Sequence, residues 1–492
     1  MNKILSSLAA VALMALSLTG CSGEQGTDGL FDYVSDNEVA VITGDATDVL
    51  VNAGCTVSES EGVTLSPTLL RIMERLFDDY GTVEKVLKFP GINLSSAVLA
   101  VSNDRDPIFM FTLSDRAKFD AWLGETGAFD DDDRSTSDGY TIYKLDSRSS
   151  LLIKENTAWI LSHGRGDGEA LKALKARRDK AARTPLAAWK KERLEEHSTL
   201  SAIINIEQWY EVVRSMSGMP GVDFSNMAYG YDPEQLQNAC IWVKSDLKGP
   251  EWKGTAKVMD ASGNVMTNTK AKKADTSIIK YATADDLAVS MVAFPGDVDW
   301  YDMLSKYFQS IGLTGEQDKL AIVSSVLGSI DGTVMIAGGP LNFNRIDRLD
   351  GWHLVLAAQL RPGKADEYVG TIQLLCDQQG IPSRMEGDVL KIDIPGVGTL
   401  QIKADGNNFV ASTAPITTAG GCPVSASLFS GKWGGMVIVF PKDNPYARMA
   451  NLPFGAKVEF FSTADEQTYS LGLTDTEGNM LENIIDFAAS NF

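Results

Sequence analysis

The chain carries one order of elements twice. A repeat constrains a fold more than any motif, because each copy must bury its own core or bury itself against its twin. Residues 37–50 read as an apolar strand, a turn at Asp45 and a helix start, and residues 286–304 repeat that order around Asp297. A long amphipathic helix follows in each copy. In the first, Ser66 is placed to cap and Pro67 to take the first helical position, with Leu69, Leu70, Ile72, Met73 and Leu76 on one face. In the second, Thr314 and Gln317 have the spacing of a capping box. Both copies then run strand, strand, helix: 96–101, 108–113 and 114–123 in one, 333–336, 353–358 and 362–377 in the other. Hairpins are predicted at Asp138-Gly139 and Glu386-Gly387, and again at Glu155-Asn156 and Asp405-Gly406-Asn407. Each copy closes on an Asp-x-x-Gly-Asn turn, at Asp260 and at Asp475; the first is predicted to join two strands and the second to lead into a terminal helix.

Consecutive strand pairs separated by single helices predict an α+β protein of two duplicated lobes, residues 31–275 and 280–492. Each lobe is expected to be a mostly antiparallel sheet with helices on one face. The polar stretch 267–276 is the expected joint.

The copies differ most after the strand ending at Ser162. Residues 165–198 stand where the second copy has only 414–425. The longer stretch is predicted to be helical, over 168–182 and again after a cap at Thr184 with Pro185 next. It is basic inside an acidic protein. Lys172, Lys175, Arg177, Arg178, Lys190 and Lys191 are candidates for a patch that meets an anionic surface: lipid phosphate, cell-wall carboxylate or an acidic partner. The competing reading is a solvated helix pair balanced by Glu192, Glu195 and Glu196.

The N-terminus has an address of its own. Lys3 precedes an apolar run over residues 5–18, too short to span a bilayer, and Leu18-Thr19-Gly20-Cys21 follows. This pattern predicts a lipoprotein signal peptide over residues 1–20, acyl chains such as palmitate on Cys21, and a flexible tether over 21–30. The membrane is then a partner through the N-terminal lipid. A net charge of −21 repels phosphate backbones, so nucleic acid is not an expected partner.

Chemical motifs are sparse. The histidines His163, His197 and His353 stand far apart, outside any H-E-x-x-H pattern, and the chain has no G-x-S-x-G elbow and no Walker loop. Cys55, Cys240, Cys376 and Cys422 are widely spaced without a C-x-x-C; they read as isolated buried thiols, with one or two disulfides as the alternative. The run from Asp130 to Asp133 reads as a solvated loop tip rather than a calcium site. Asp297, Asp299 and Asp302 read as helix-start carboxylates, and Trp159, Trp242 and Trp352 as core. No cofactor and no metal are expected.

Three features together resemble a known family: the Cys21 motif, the opening Tyr33-Val34-Ser35-Asp36-Asn37-Glu38-Val39-Ala40-Val41, and the doubled strand–helix pattern. The family comprises uncharacterised Bacteroidetes lipoproteins grouped as domain of unknown function 4836. The resemblance implies a Gram-negative envelope location and brings no activity or catalytic residues. Ser22 is compatible with outer-membrane sorting, and the scattered Glu24 and Asp28 point to the periplasmic side rather than the surface. The expectation is an envelope lipoprotein that binds or scaffolds without catalysis, with an envelope protein or glycan as partner. The alternative is a periplasmic or surface hydrolase of envelope or dietary polymers using paired carboxylates, for which no Asp/Glu pair can be named.

Overall fold

The computed structural model describes residues 29–491, apart from 59–60, 78–86, 103–105, 126–128, 130, 165–167, 218–229, 232–235, 295–297, 303, 306–316, 340–352, 395–397, 444–447 and 449–450. The protein is mixed α+β, with extensive antiparallel sheet and several helices. The described residues fall into two compact units. Those up to Met216, with Glu234–Met266 and the chain from Thr476 on, form the first; Ser217–Pro233 and Thr267–Asp475 belong to the second.

The first unit contains β1 (Ala40–Gly44), β2 (Thr56–Ser58), β3 (Gly62–Thr64), β4 (Ile92–Val101), β5 (Pro107–Leu113), β6 (Arg134–Ser137), β7 (Tyr140–Lys144), β8 (Ser149–Lys154), β9 (Thr157–Ser162), β10 (Leu200–Asn205), β11 (Cys240–Lys248) and β12 (Glu251–Met259). β2 and β3 form a separate hairpin. The others pair antiparallel in the order β6-β7-β8-β9-β5-β4-β1-β10-β11-β12.

The local signals account for the joints. Asp45 is the N-cap of helix Ala46–Asn52, accepting from Thr47 N at 2.8 Å. Ser66 Oγ accepts from Leu69 N at 3.2 Å at the start of helix Pro67–Phe77. Asp138 and Gly139 both have positive φ, 50° and 79°, as a two-residue hairpin turn of the primed type requires.

The second unit contains β13 (Ala288–Ala293), β14 (Ile330–Gly338), β15 (Leu354–Leu360), β16 (Ser383–Glu386), β17 (Val389–Ile394), β18 (Gly398–Asp405), β19 (Asn408–Ser412), β20 (Gly434–Phe440), β21 (Gly455–Ser462) and β22 (Gln467–Thr474). Their antiparallel order is β16-β17-β18-β19-β15-β14-β13-β20-β21-β22.

Side chains alternate along β5, so its two faces feed different cores. Ile108 and Met110 join Leu171, Leu174 and Leu194; Phe109 and Phe111 join Phe119 and Leu123 of helix Arg116–Glu125. Helices therefore cover both faces of the first unit's sheet, not one as expected. The reason is the inserted stretch. It forms helices Glu169–Arg183 and Ala188–Glu195, which lay Leu171, Leu174 and Leu194 on the second face at 6% exposure or less, each worth roughly 1.5–3 kcal/mol of burial. In the second unit Val355 and Ala357 of β15 face the 3-10 turns Thr276–Tyr281 and Ala426–Phe429. Ala358 and Leu360 face helices Gln317–Gly328 and Lys364–Gln379.

Four further expectations change. Thr184 does not cap the second inserted helix. It ends the first, its N–H donating to Lys180 O, and the next helix starts only at Ala188. Past the Asp260 turn the second strand reduces to a single bridge, Met259 to Val265. The stretch expected to be a joint is packed in the second unit: Thr267 Oγ1 donates to Asp465 at 2.7 Å, and Asp275 accepts from Gln359 at 2.6 Å. The terminal helix Met480–Asn491 packs in the first unit, with Leu481 and Ile485 against a core that includes Ala46 and Leu94. Cys21, Asp130, Asp297, Thr314 and Trp352 lie outside the described residues.

Candidate functional site

The basic insertion is built onto the corner that precedes β1. Ser35 forms an isolated bridge with Pro185, and its hydroxyl meets that of Thr184 at 2.7 Å. Two residues of this corner turn charge inward. The Glu38 carboxylate, 1% exposed, pairs with Arg177 at 3.1 Å, and Arg177 also donates to Asp106 O at 2.9 Å and Ala100 O at 3.3 Å. Burial pulls the Arg177 guanidinium below its ordinary value while Glu38 opposes the shift. Asp36 accepts from Lys190 Nζ at 3.0 Å and from Ala187 N at 2.9 Å, and the Lys190 side chain is 5% exposed.

The six candidate residues of the patch therefore do not share one face. Lys190 is buried and Arg177 is largely covered, because the rotation of their helices on the sheet carries them toward Asp36 and Glu38. Lys172 and Lys175 are exposed and pair with Glu169 and Asp138 respectively. Arg178 lies over the Tyr33 ring at 5.9 Å and Lys191 over the Phe31 ring at 5.8 Å.

The second unit has a matching corner before β13. Thr283 forms an isolated bridge with Gly421. Asp286, fully buried, accepts from Thr283 N at 2.6 Å and from Thr283 Oγ1 at 3.1 Å, both through Oδ2. Its other oxygen, Oδ1, has no hydrogen-bond partner among the described residues and faces His353 Nε2 at 3.4 Å. The contact has ion-pair distance without good hydrogen-bond alignment. Asp286, through this close contact and its charge, raises the His353 pKa above the ordinary histidine value, against the opposing effect of burial. Cys422 Sγ donates to Asp286 O at 3.4 Å, and burial, with Asp286 adding to it, raises the thiol pKa.

Asp36, Glu38 and Asp286 were not candidates from the sequence. One signal could have found the corners. Tyr33, Ser35 and Glu38 stand at the same spacing from β1 as Tyr281, Thr283 and Asp286 do from β13.

Two pairs resemble catalytic constellations and are built otherwise. Ser150 Oγ lies 2.8 Å from His163 Nε2, whose Nδ1 meets Gly164 O at 2.6 Å; Ser150 is 3% exposed, which puts its hydroxyl out of reach of a polymer. Thr283 and Asp286 both meet His353 through Nε2, whereas a relay needs the nucleophile and the carboxylate on opposite ring nitrogens. Asp299 Oδ1 accepts from Asp302 N at 3.0 Å, as a helix-start carboxylate does. Trp159 and Trp242 are core residues. Cys55, Cys240, Cys376 and Cys422 are free thiols.

No protein-family model matches the chain, and no curated protein does. Among solved structures, the DNA polymerase III beta chain of Streptococcus pneumoniae TIGR4 aligns over 95% of this chain and 98% of its own, at 9% identity and a TM-score of 0.13. A superposition that loose establishes neither a common fold nor a common activity.

Proposed function

We propose that this protein is an envelope lipoprotein, held to a membrane by acyl chains on Cys21, in which an ancestral unit was duplicated and serves as a binding or scaffolding body rather than an enzyme. One observation supports the duplication above the rest. The strand order β6-β7-β8-β9-β5-β4-β1-β10-β11-β12 has a one-to-one counterpart in β16-β17-β18-β19-β15-β14-β13-β20-β21-β22, each strand in its own chain order. The buried stripes agree as well: Val41, Ala100, Ile108, Trp159 and Ile203 occupy the registers of Val289, Ala337, Val355, Val410 and Val437.

The anchor rests on Leu18-Thr19-Gly20-Cys21, and an envelope protein or glycan is the further partner this reading implies. Among the described residues no helix is long and apolar enough to cross a membrane. The scaffolding role draws on the corner charges, since Glu38, Asp36 and Asp286 are each committed to internal partners.

The test is metabolic labelling with an alkyne fatty acid in a Gram-negative host. Label on the wild-type chain, and release of Cys21→Ala into the soluble envelope fraction, are the expected results. An unlabelled wild-type chain that fractionates as soluble would remove the anchor from this reading.

A further inference from the structure

We propose that His353 and Asp286 form a pH-operated latch on the corner closed by Thr283 and Gly421, and that Cys422 is the side chain it shields. The inference stands apart from the lipid anchor. Three observations carry it.

The Asp286 carboxylate is fully buried, with Oδ2 occupied by Thr283 and, among the described residues, only His353 facing Oδ1. A buried carboxylate oxygen without a partner is costly, so the charge on His353 decides how tightly this corner is held. Next, the matching corner of the first unit places Arg177 against Glu38. A guanidinium stays charged at every physiological pH, whereas an imidazole titrates close to neutrality. One corner is held permanently and the other conditionally. Finally, the corner is tied to the strap carrying Cys422: Thr283 bridges Gly421, and Cys422 Sγ donates to the Asp286 carbonyl.

Among the described residues, the charged groups that act on the imidazole are Asp286 and Asp285 on the corner, and Gly339, just past β14, contributes a backbone contact, Gly339 N to His353 O at 3.0 Å. Both aspartates raise the His353 pKa. The latch is therefore fully closed below the ordinary histidine value, roughly 6.5, and is released as pH rises through the raised value of the folded protein.

The experiment follows Cys422 in the full-length protein with 4,4′-dithiodipyridine, a reagent usable in mild acid, with the labelled peptide identified by mass spectrometry. Rates are divided by those of a small reference thiol at each pH. The wild-type ratio should rise severalfold between pH 5.5 and 8 as His353 loses its proton and the latch is released. His353→Gln should label fast at both pH values. His353→Arg, which copies the permanent cation of the first unit, should label slowly at both. The unmutated protein has three histidines to resolve by NMR, and His353 should titrate above the ordinary histidine value of roughly 6.5. A flat wild-type ratio, a His353→Gln profile that parallels wild type, or a His353 titration at or below the ordinary histidine value would each overturn the latch.

Discussion

Asn52 ends helix Ala46–Asn52 and holds the start of helix Met480–Asn491. Its Oδ1 accepts the Leu481 N–H at 2.9 Å, while its Nδ2 donates to Gly249 O at 2.9 Å. Met480 N donates to the same Gly249 carbonyl at 2.7 Å. Asn52 is 3% exposed, so this single amide satisfies a helix N-terminal donor that water cannot reach. Helix Met480–Asn491 then lays Leu481 and Ile485 on the core that contains Leu50 and Val57.

Replacing Asn52 with Ala should cost about 1–3 kcal/mol, because the Leu481 N–H loses its partner inside the protein. Asn52→Asp keeps the acceptor and loses the donor, and should fall between wild type and Ala. Urea unfolding at pH 7 measures both. An Asn52→Ala midpoint equal to wild type would show that the terminal helix does not depend on this amide.

Charge placement in the insertion separates two kinds of cation. Arg177→Ala strands the buried Glu38 carboxylate and should destabilise by about 3–5 kcal/mol; the apolar pair Arg177→Met with Glu38→Leu should recover much of that loss. Lys172→Gln with Lys175→Gln should change stability by no more than about 0.5 kcal/mol, since both side chains are solvated. The same lysine pair is the surface to test against anionic vesicles by co-sedimentation, where any binding it supplies should weaken with salt. A double-lysine variant as unstable as Arg177→Ala would contradict this division.

Acid should weaken the second unit through Asp405. The Tyr281 hydroxyl donates to this carboxylate at 2.5 Å and Lys280 Nζ at 2.9 Å, and together they lower its pKa below the ordinary aspartate value. A lowered pKa contributes stability that is complete above the unfolded value, roughly 3.9, and is lost as pH falls through the lower folded value. Asp405→Asn should lower the melting temperature at pH 7 and flatten its fall between about pH 4 and 2. A wild-type acid slope in Asp405→Asn would assign the acid sensitivity elsewhere.

Much of this architecture is legible locally. Strand segments show in the period-two apolar runs, hairpins in Asp138-Gly139 and Gly406-Asn407, and helix starts in Asp45 and Ser66-Pro67. Such signals act through φ/ψ preference and hydrogen bonds spanning a few residues, so neighbours in the chain suffice to read them. The site was less legible. Glu38 and Asp286 look like ordinary surface carboxylates in sequence, because their burial depends on what crosses over them.

The residues alone determined that the chain would be α+β, rich in antiparallel hairpins, with a basic helical pair inserted between Ser162 and Leu200. Only the tertiary structure decided that this pair would roof a second sheet face, that Arg177 and Lys190 would point inward, and that the terminal helix would seat on Asn52. Each of those outcomes joins groups far apart in the chain. Which partner wins is set by the apolar area and buried charge that docking must satisfy together, and no local preference encodes that.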